Sequence, residues 1–95
     1  MQCDEIIFSG HAVRRMFEWS IGREEVLEVV ASGEVIADYP DDRPFPSVLL
    51  LATVEGRVLH SVVAEDSANR TCYIVTVYPP DPAMWSPDFR KKKPI

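Results

Sequence analysis

The stretch RVLHSVVAEDSANRTCYIVTVYPP, residues 57–80, decides the fold. Two runs rich in Val, Ile, Leu and Tyr flank the polar turn DSANR, the pattern of an antiparallel hairpin of two largely buried strands. Just upstream, SVLLLATV (residues 47–54) is a continuous apolar run, as expected of a central strand covered on both faces. Between them Glu55-Gly56 reads as a two-residue hairpin turn, which pairs Val54 with Arg57 and sets His60 opposite Leu51. His60 then shares one face with Val58, Val62 and Ala64, while Leu59, Ser61 and Val63 share the other. One face must meet helices and the other is free to form a concave site; alternation alone leaves both assignments open.

Working outward, EVIADYP (residues 34–40) alternates apolar and polar and reads as a half-exposed edge strand, followed by the loop DDRPFP. SIGREEVLEVVASGE (residues 20–34) is a helix with Gly22 as N-cap and Glu25 at N3. Ile21 and Val26 form its hydrophobic staple, Val26, Leu27, Val29 and Val30 its inward stripe, and Gly33 a left-handed stop. IIFSGHAVRRMFEWS (residues 6–20) opens with a short extended piece, Ile6 to Phe8, and starts a helix at the N-cap Ser9. In that helix Ala12, Met16 and Trp19 recur at helical spacing with Val13 and Phe17 beside them, so this face is expected to pack inward. Pro79, Pro80, Pro82 and Pro87 end regular structure and leave DPAMWSPDF, in which Trp85 is a packing anchor. The expected architecture is α+β: an N-terminal helical hairpin packed on a four-stranded antiparallel sheet. It spans residues 1–89 as a single domain, with residues 90–95 a basic C-terminal tail.

The chain has 95 residues, enough for one domain with a modest core. No apolar run reaches the roughly 18 residues of a membrane span, and Met1-Gln2-Cys3-Asp4-Glu5 does not read as a signal peptide. A cytoplasmic setting is therefore expected, with Cys3 and Cys72 as reduced thiols; a Cys3–Cys72 disulfide is the geometric alternative. Residues 1–89 hold six basic and fifteen acidic groups, a net charge of −9. Such a body repels a phosphate backbone at long range, so any RNA site must be a local basic pocket. A Gly-rich phosphate loop, a Gly-x-Ser-x-Gly elbow and a zinc-type Cys/His cluster are all missing from the sequence, and no metal or cofactor is expected.

His60 is either a satisfied core polar group or a proton-transfer group, since imidazole titrates near neutrality. His11 and Arg15 are spaced i, i+4 on one helix face, with Arg14 one step round. A guanidinium beside a histidine suits phosphate, while capping and solvation are the plain alternatives. Tyr78 ends the last strand before Pro79-Pro80; its ring caps the core or its hydroxyl faces a ligand. Arg43 lies in the first loop, and the run Arg90-Lys91-Lys92-Lys93 is a solvated tail that could add affinity for RNA or an acidic partner.

HAVRRM, SIGREEVLEVVASGEVIADYPDD, PSVLLL, VLHSVVAED and TVYPPDPAMWSPDF, in this order, resemble a bacterial domain-of-unknown-function family, the one numbered four-two-five-eight. The resemblance runs from His11 to Phe89. By association it implies a toxin of a type II toxin–antitoxin pair, similar in fold to the MqsR and RelE mRNA interferases. The implied partners are a cognate antitoxin, such as an MqsA-like zinc-finger protein, and RNA, free or on the ribosome. The protein would be a monomer or weak dimer, away from membranes. The family's recurrent polar positions fall on His11, Arg15, His60 and Tyr78; the sequence departs from the pattern at Trp19, where arginine is common, and at Ser61, where an apolar residue is. The implied chemistry is metal-independent endoribonucleolysis. His60 would act as base or acid, Arg15 as the clamp on the transition state, Tyr78 as the complementary proton donor or a phosphate ligand and His11 as reserve base; by their charge alone, Arg14, Arg43, Lys91 and Lys92 are the candidate RNA contacts. The rival expectation is a non-enzymatic module that binds a partner protein through its sheet edge or C-terminal tail. Catalysis requires His60, Arg15 and Tyr78 in one cleft, whereas a binding module lets them scatter.

Overall fold

The computed structural model describes residues 1–94. Its elements are β1 (Glu5–Phe8), α1 (Gly10–Trp19), α2 (Arg23–Ser32), β2 (Glu34–Tyr39), β3 (Ser47–Val54), β4 (Arg57–Asp66) and β5 (Thr71–Tyr78). The sheet runs β1-β5-β4-β3-β2. The α+β class and the helices on one sheet face are as the sequence predicts, but the sheet has five strands rather than four. The extended piece before α1 joins as an edge strand parallel to β5, with Ile6 level with Cys72 and Phe8 with Ile74. A four-residue strand has too few positions to show a period, and its partner lies some sixty residues away in sequence.

The central register is the one the Glu55-Gly56 turn dictates: Val54 pairs with Arg57 and Leu51 with His60. Leu50, Leu59, Val63, Cys72, Ile74 and Val77 meet Ala12, Ile21, Val26, Val29 and Val30 in the buried core. The helices therefore cover the face that Leu59 and Val63 occupy. Because side chains alternate along a strand, His60 leaves β4 on the opposite face.

Local chemistry explains the helix starts. Ser9 Oγ accepts from the Ala12 amide at 3.0 Å and donates to the Val75 carbonyl at 2.9 Å, so one hydroxyl both caps α1 and pins it to β5. Glu25 Oε1 accepts from the Gly22 amide at 3.0 Å, and the same carboxylate binds Arg57 of β4. The Gly22 amide, then Arg57, hold its pKa below the usual carboxylate value. Ile21 and Val26 are both buried, as a staple requires.

Two helix expectations need correction. Gly33 is extended (φ −67°, ψ 149°) and not left-handed; a Cβ there would collide with the Val29 carbonyl and come within 3.2 Å of Leu50 Cβ. The glycine permits close approach of α2 to β3, and the left-handed stop is instead Ser20 at the end of α1 (φ 51°). In α1 only Ala12 is buried and Met16 partly so, while Phe17 is 83 % exposed and Val13 and Trp19 also face solvent. The apolar arc of α1 is wider than the surface available to cover it.

Cys3 and Cys72 form a disulfide, with Cα atoms 5.7 Å apart, which corrects the expectation of free thiols. Pairing of β1 with β5 delivers Cys3 to the start of β5; the Asp4 amide already bonds the Arg70 carbonyl at 2.7 Å. The C-terminal run is not a free tail where it begins. Arg90 forks onto Glu34 at 2.6 and 3.0 Å, Ser86 N donates to the Lys91 carbonyl and Lys93 N to that of Met84. Among the described residues no helix is long and apolar enough to cross a membrane.

Candidate functional site

β4 and β5 place His60 and Tyr78 directly across from each other in the ladder. The imidazole is fully buried. Its Nε2 lies 2.9 Å from the Phe89 carbonyl, which can only accept, so Nε2 carries the proton and the ring is the Nε2–H tautomer. Nδ1 is left as an acceptor for the Tyr78 hydroxyl at 3.4 Å. Trp85 stands perpendicular to the imidazole with ring centres 4.4 Å apart, and Tyr78 meets it edge-on at 5.4 Å. Burial pushes the His60 pKa below its ordinary 6.5, an effect the Phe89 carbonyl partly offsets. Burial also raises the Tyr78 hydroxyl, with Tyr39 adding to the shift. Both groups are neutral at pH 7.

The chemistry of this cluster is that of an anchor. A neutral imidazole with one nitrogen donating and the other accepting holds the C-terminal segment onto the sheet. No solvent path reaches either nitrogen in this conformation. Ser61, on the helix-facing side of β4, donates to the Thr76 carbonyl at 2.9 Å beside the β5 bulge, which accounts for a hydroxyl in an apolar strand.

His60 and Tyr78 are thus brought together, but the other proposed site residues are not. Arg15 sits on α1, ion-paired with Glu18 at 3.1 Å, and His11 and Arg14 are exposed on the same helix. α1 belongs to the layer on the far side of the sheet from His60, so His60, Arg15 and Tyr78 share no cleft. Arg43 is exposed in the loop between β2 and β3. Lys91 and Lys92 are exposed on the C-terminal segment, where Lys92 bridges Trp85 through the backbone. Sequence reasoning missed Phe89 and the exposure of Phe17. Phe89 acts through its carbonyl, which no side-chain pattern reveals; Phe17 lies on a periodic stripe, which tells direction and not coverage.

An α+β domain with a buried histidine paired to a half-buried tyrosine, closed by its own C-terminal segment, is the class that these features define. The family described as Domain of unknown function (DUF4258) matches residues 8–79, most of the chain, and the chain belongs to that family. The matched span takes in His60 and Tyr78 and stops short of the segment that covers them. No curated protein and no solved structure matches the chain.

Proposed function

We propose that the domain is a protein-interaction module that docks a partner through the outer face of α1. One observation carries this reading: Phe17 is 83 % exposed, and Val13, one turn before it on the same helix face, is exposed as well. Apolar area in water costs about 25 cal/mol per Å², and a contiguous patch of this kind marks a contact surface. Arg14, at i, i+3 to Phe17, borders the patch on an otherwise acidic molecule, which favours a partner with acidic residues around an apolar anchor. The sheet edges are poorer routes. β2 is bulged between Val35 and Ala37 and carries Glu34 and Asp38, devices that discourage strand addition, and β1 has only four residues. A photo-crosslinking residue at position 17, expressed in the native host, tests the proposal. It should yield a discrete adduct that the same residue at the solvent-facing position 28 does not; equal labelling from both positions would refute it.

A second reading has one observation in its favour. Tyr78 and His60 meet on one sheet face with the imidazole held neutral, the state a general base needs. On this reading the domain is an mRNA interferase of a toxin–antitoxin pair, with a RelE- or barnase-like fold, working in the cytoplasm. The protein docked on α1 would then be the antitoxin. The C-terminal segment would have to lift, and a cation other than Arg15 would have to reach the phosphate. Induced expression of wild type and His60→Gln, with total mRNA integrity as readout, tests it. Degradation that disappears in the variant supports cleavage, and intact mRNA in the presence of abundant folded wild type rules it out.

A further inference from the structure

The face of the sheet turned away from the helices is covered by a segment whose contacts have the make-up of a bound peptide. An aromatic ring, Trp85, packs on His60 at 4.4 Å; a main-chain carbonyl, that of Phe89, accepts from His60 Nε2 at 2.9 Å; and a cation, Arg90, forks onto Glu34. These are the three elements by which grooves recognise peptides: a side-chain anchor, a backbone bond and a charge pair.

The segment also keeps its own shape. Ser86 N donates to the Lys91 carbonyl at 2.7 Å, Lys93 N to the Met84 carbonyl at 2.8 Å, and Ser86 Oγ to Asp88 at 2.6 Å. It is a small self-bonded hairpin that can leave the sheet without first losing its internal bonds. Pro79-Pro80 marks where it leaves β5. Its charge pair is half exposed on both sides, and such pairs hold weakly. Beside it a cavity of about 410 Å³, lined by Glu34, Leu51, Thr53, Phe89 and Arg90, continues the groove past the end of the hairpin.

We infer that this sheet face is a peptide-binding groove, filled here in cis by residues 84–93, and that it accepts from a partner protein a segment carrying an aromatic anchor followed, five residues on, by a cation. The inference is independent of what docks on α1. A segment tethered by a few residues competes at an effective concentration in the mM range, so a partner segment gains the groove only when the cis hairpin is weakened or the partner is itself tethered, for instance by docking elsewhere on the domain.

The test uses the full-length chain. Trp85→Ser combined with Arg90→Glu disarms the cis hairpin, and the probe is a fluorescent synthetic peptide of residues 81–94 followed by polarisation. The disarmed chain should bind it at least tenfold more tightly than wild type does, and His60→Gln added to the disarmed chain should abolish the gain. Equal binding by wild type and disarmed chains, or a gain that survives His60→Gln, would overturn the inference. A wild-type dimer in light scattering that exchanges this hairpin between copies would also overturn it, by making a second copy the occupant. Should the disarmed chain fail to fold, diethyl pyrocarbonate labelling of wild type decides. His60 should be modified slowly while the β4 amides stay protected from exchange; modification only at the rate of global unfolding would contradict an opening hairpin.

Discussion

At the scale of the residue, His60 behaves as a buried neutral group, and its pKa fixes a pH dependence. Its folded-state pKa lies below the ordinary 6.5, so below pH 6.5 the unfolded chain binds more protons than the folded one. The stability that neutral His60 contributes is present above 6.5 and is lost as pH falls toward the folded value. Urea midpoints at pH 7.5 and 5 should therefore fall more steeply for wild type than for His60→Gln; equal slopes would mean that the imidazole is not shielded. Truncation is expected to be costly as well. His60→Ala leaves a cavity and an unpaired Phe89 carbonyl, for a loss of roughly 2–4 kcal/mol by denaturant titration. Gly33 carries its own prediction. With a carbonyl and Leu50 crowding the site of a Cβ, Gly33→Ala should cost about 1–3 kcal/mol by overpacking, where an unconstrained helix end would tolerate it.

Among the elements, α1 is where packing and function separate. Phe17→Ser should change stability by no more than about 0.5 kcal/mol, because the ring is 83 % exposed, yet it should abolish the adduct formed by a photo-crosslinking residue placed at the neighbouring position 13. Ser9→Ala should do the reverse: a loss of about 1 kcal/mol or more from the missing cap and the missing bond to Val75, with docking intact in the folded fraction. The same elements show what a sequence can carry. The β3–β4 register was legible because a two-residue turn fixes parity, and parity put His60 opposite Leu51. Both helix starts were legible because caps are local. β1 was not, since its pairing is long-range and brief. Nor was the coverage of α1, since periodicity assigns a direction to Val13 and Phe17 but says nothing of what lies above them. The pairing of His60 with Tyr78 was not legible, since a bulge at Val75 shifts the β4–β5 register by one; nor was the closure over them, since a proline-rich segment has no period and its key contact is a backbone carbonyl.

For the molecule as a whole, one covalent link and one closure set the behaviour. The Cys3–Cys72 disulfide spans 69 positions and ties the β1 edge to β5, so opening it should lower stability by about 2–4 kcal/mol, read as the difference in urea midpoint with and without reductant and absent in Cys3→Ser. The division of labour is sharper: a sheet whose inner face packs on two helices, whose outer face is shut by the C-terminal segment, and whose most exposed large apolar side chain among the described residues, Phe17, stands on α1. The choice between binding and catalysis turns on whether His60 is shut off from water. Long-range ¹⁵N–¹H correlation spectra of the imidazoles through a pH titration measure that directly. For His60 a neutral ring in the Nε2–H form is expected, with a midpoint below 6.5. A midpoint at or above 6.5, or nitrogen shifts averaged between the two tautomers, would show an open histidine and contradict the account.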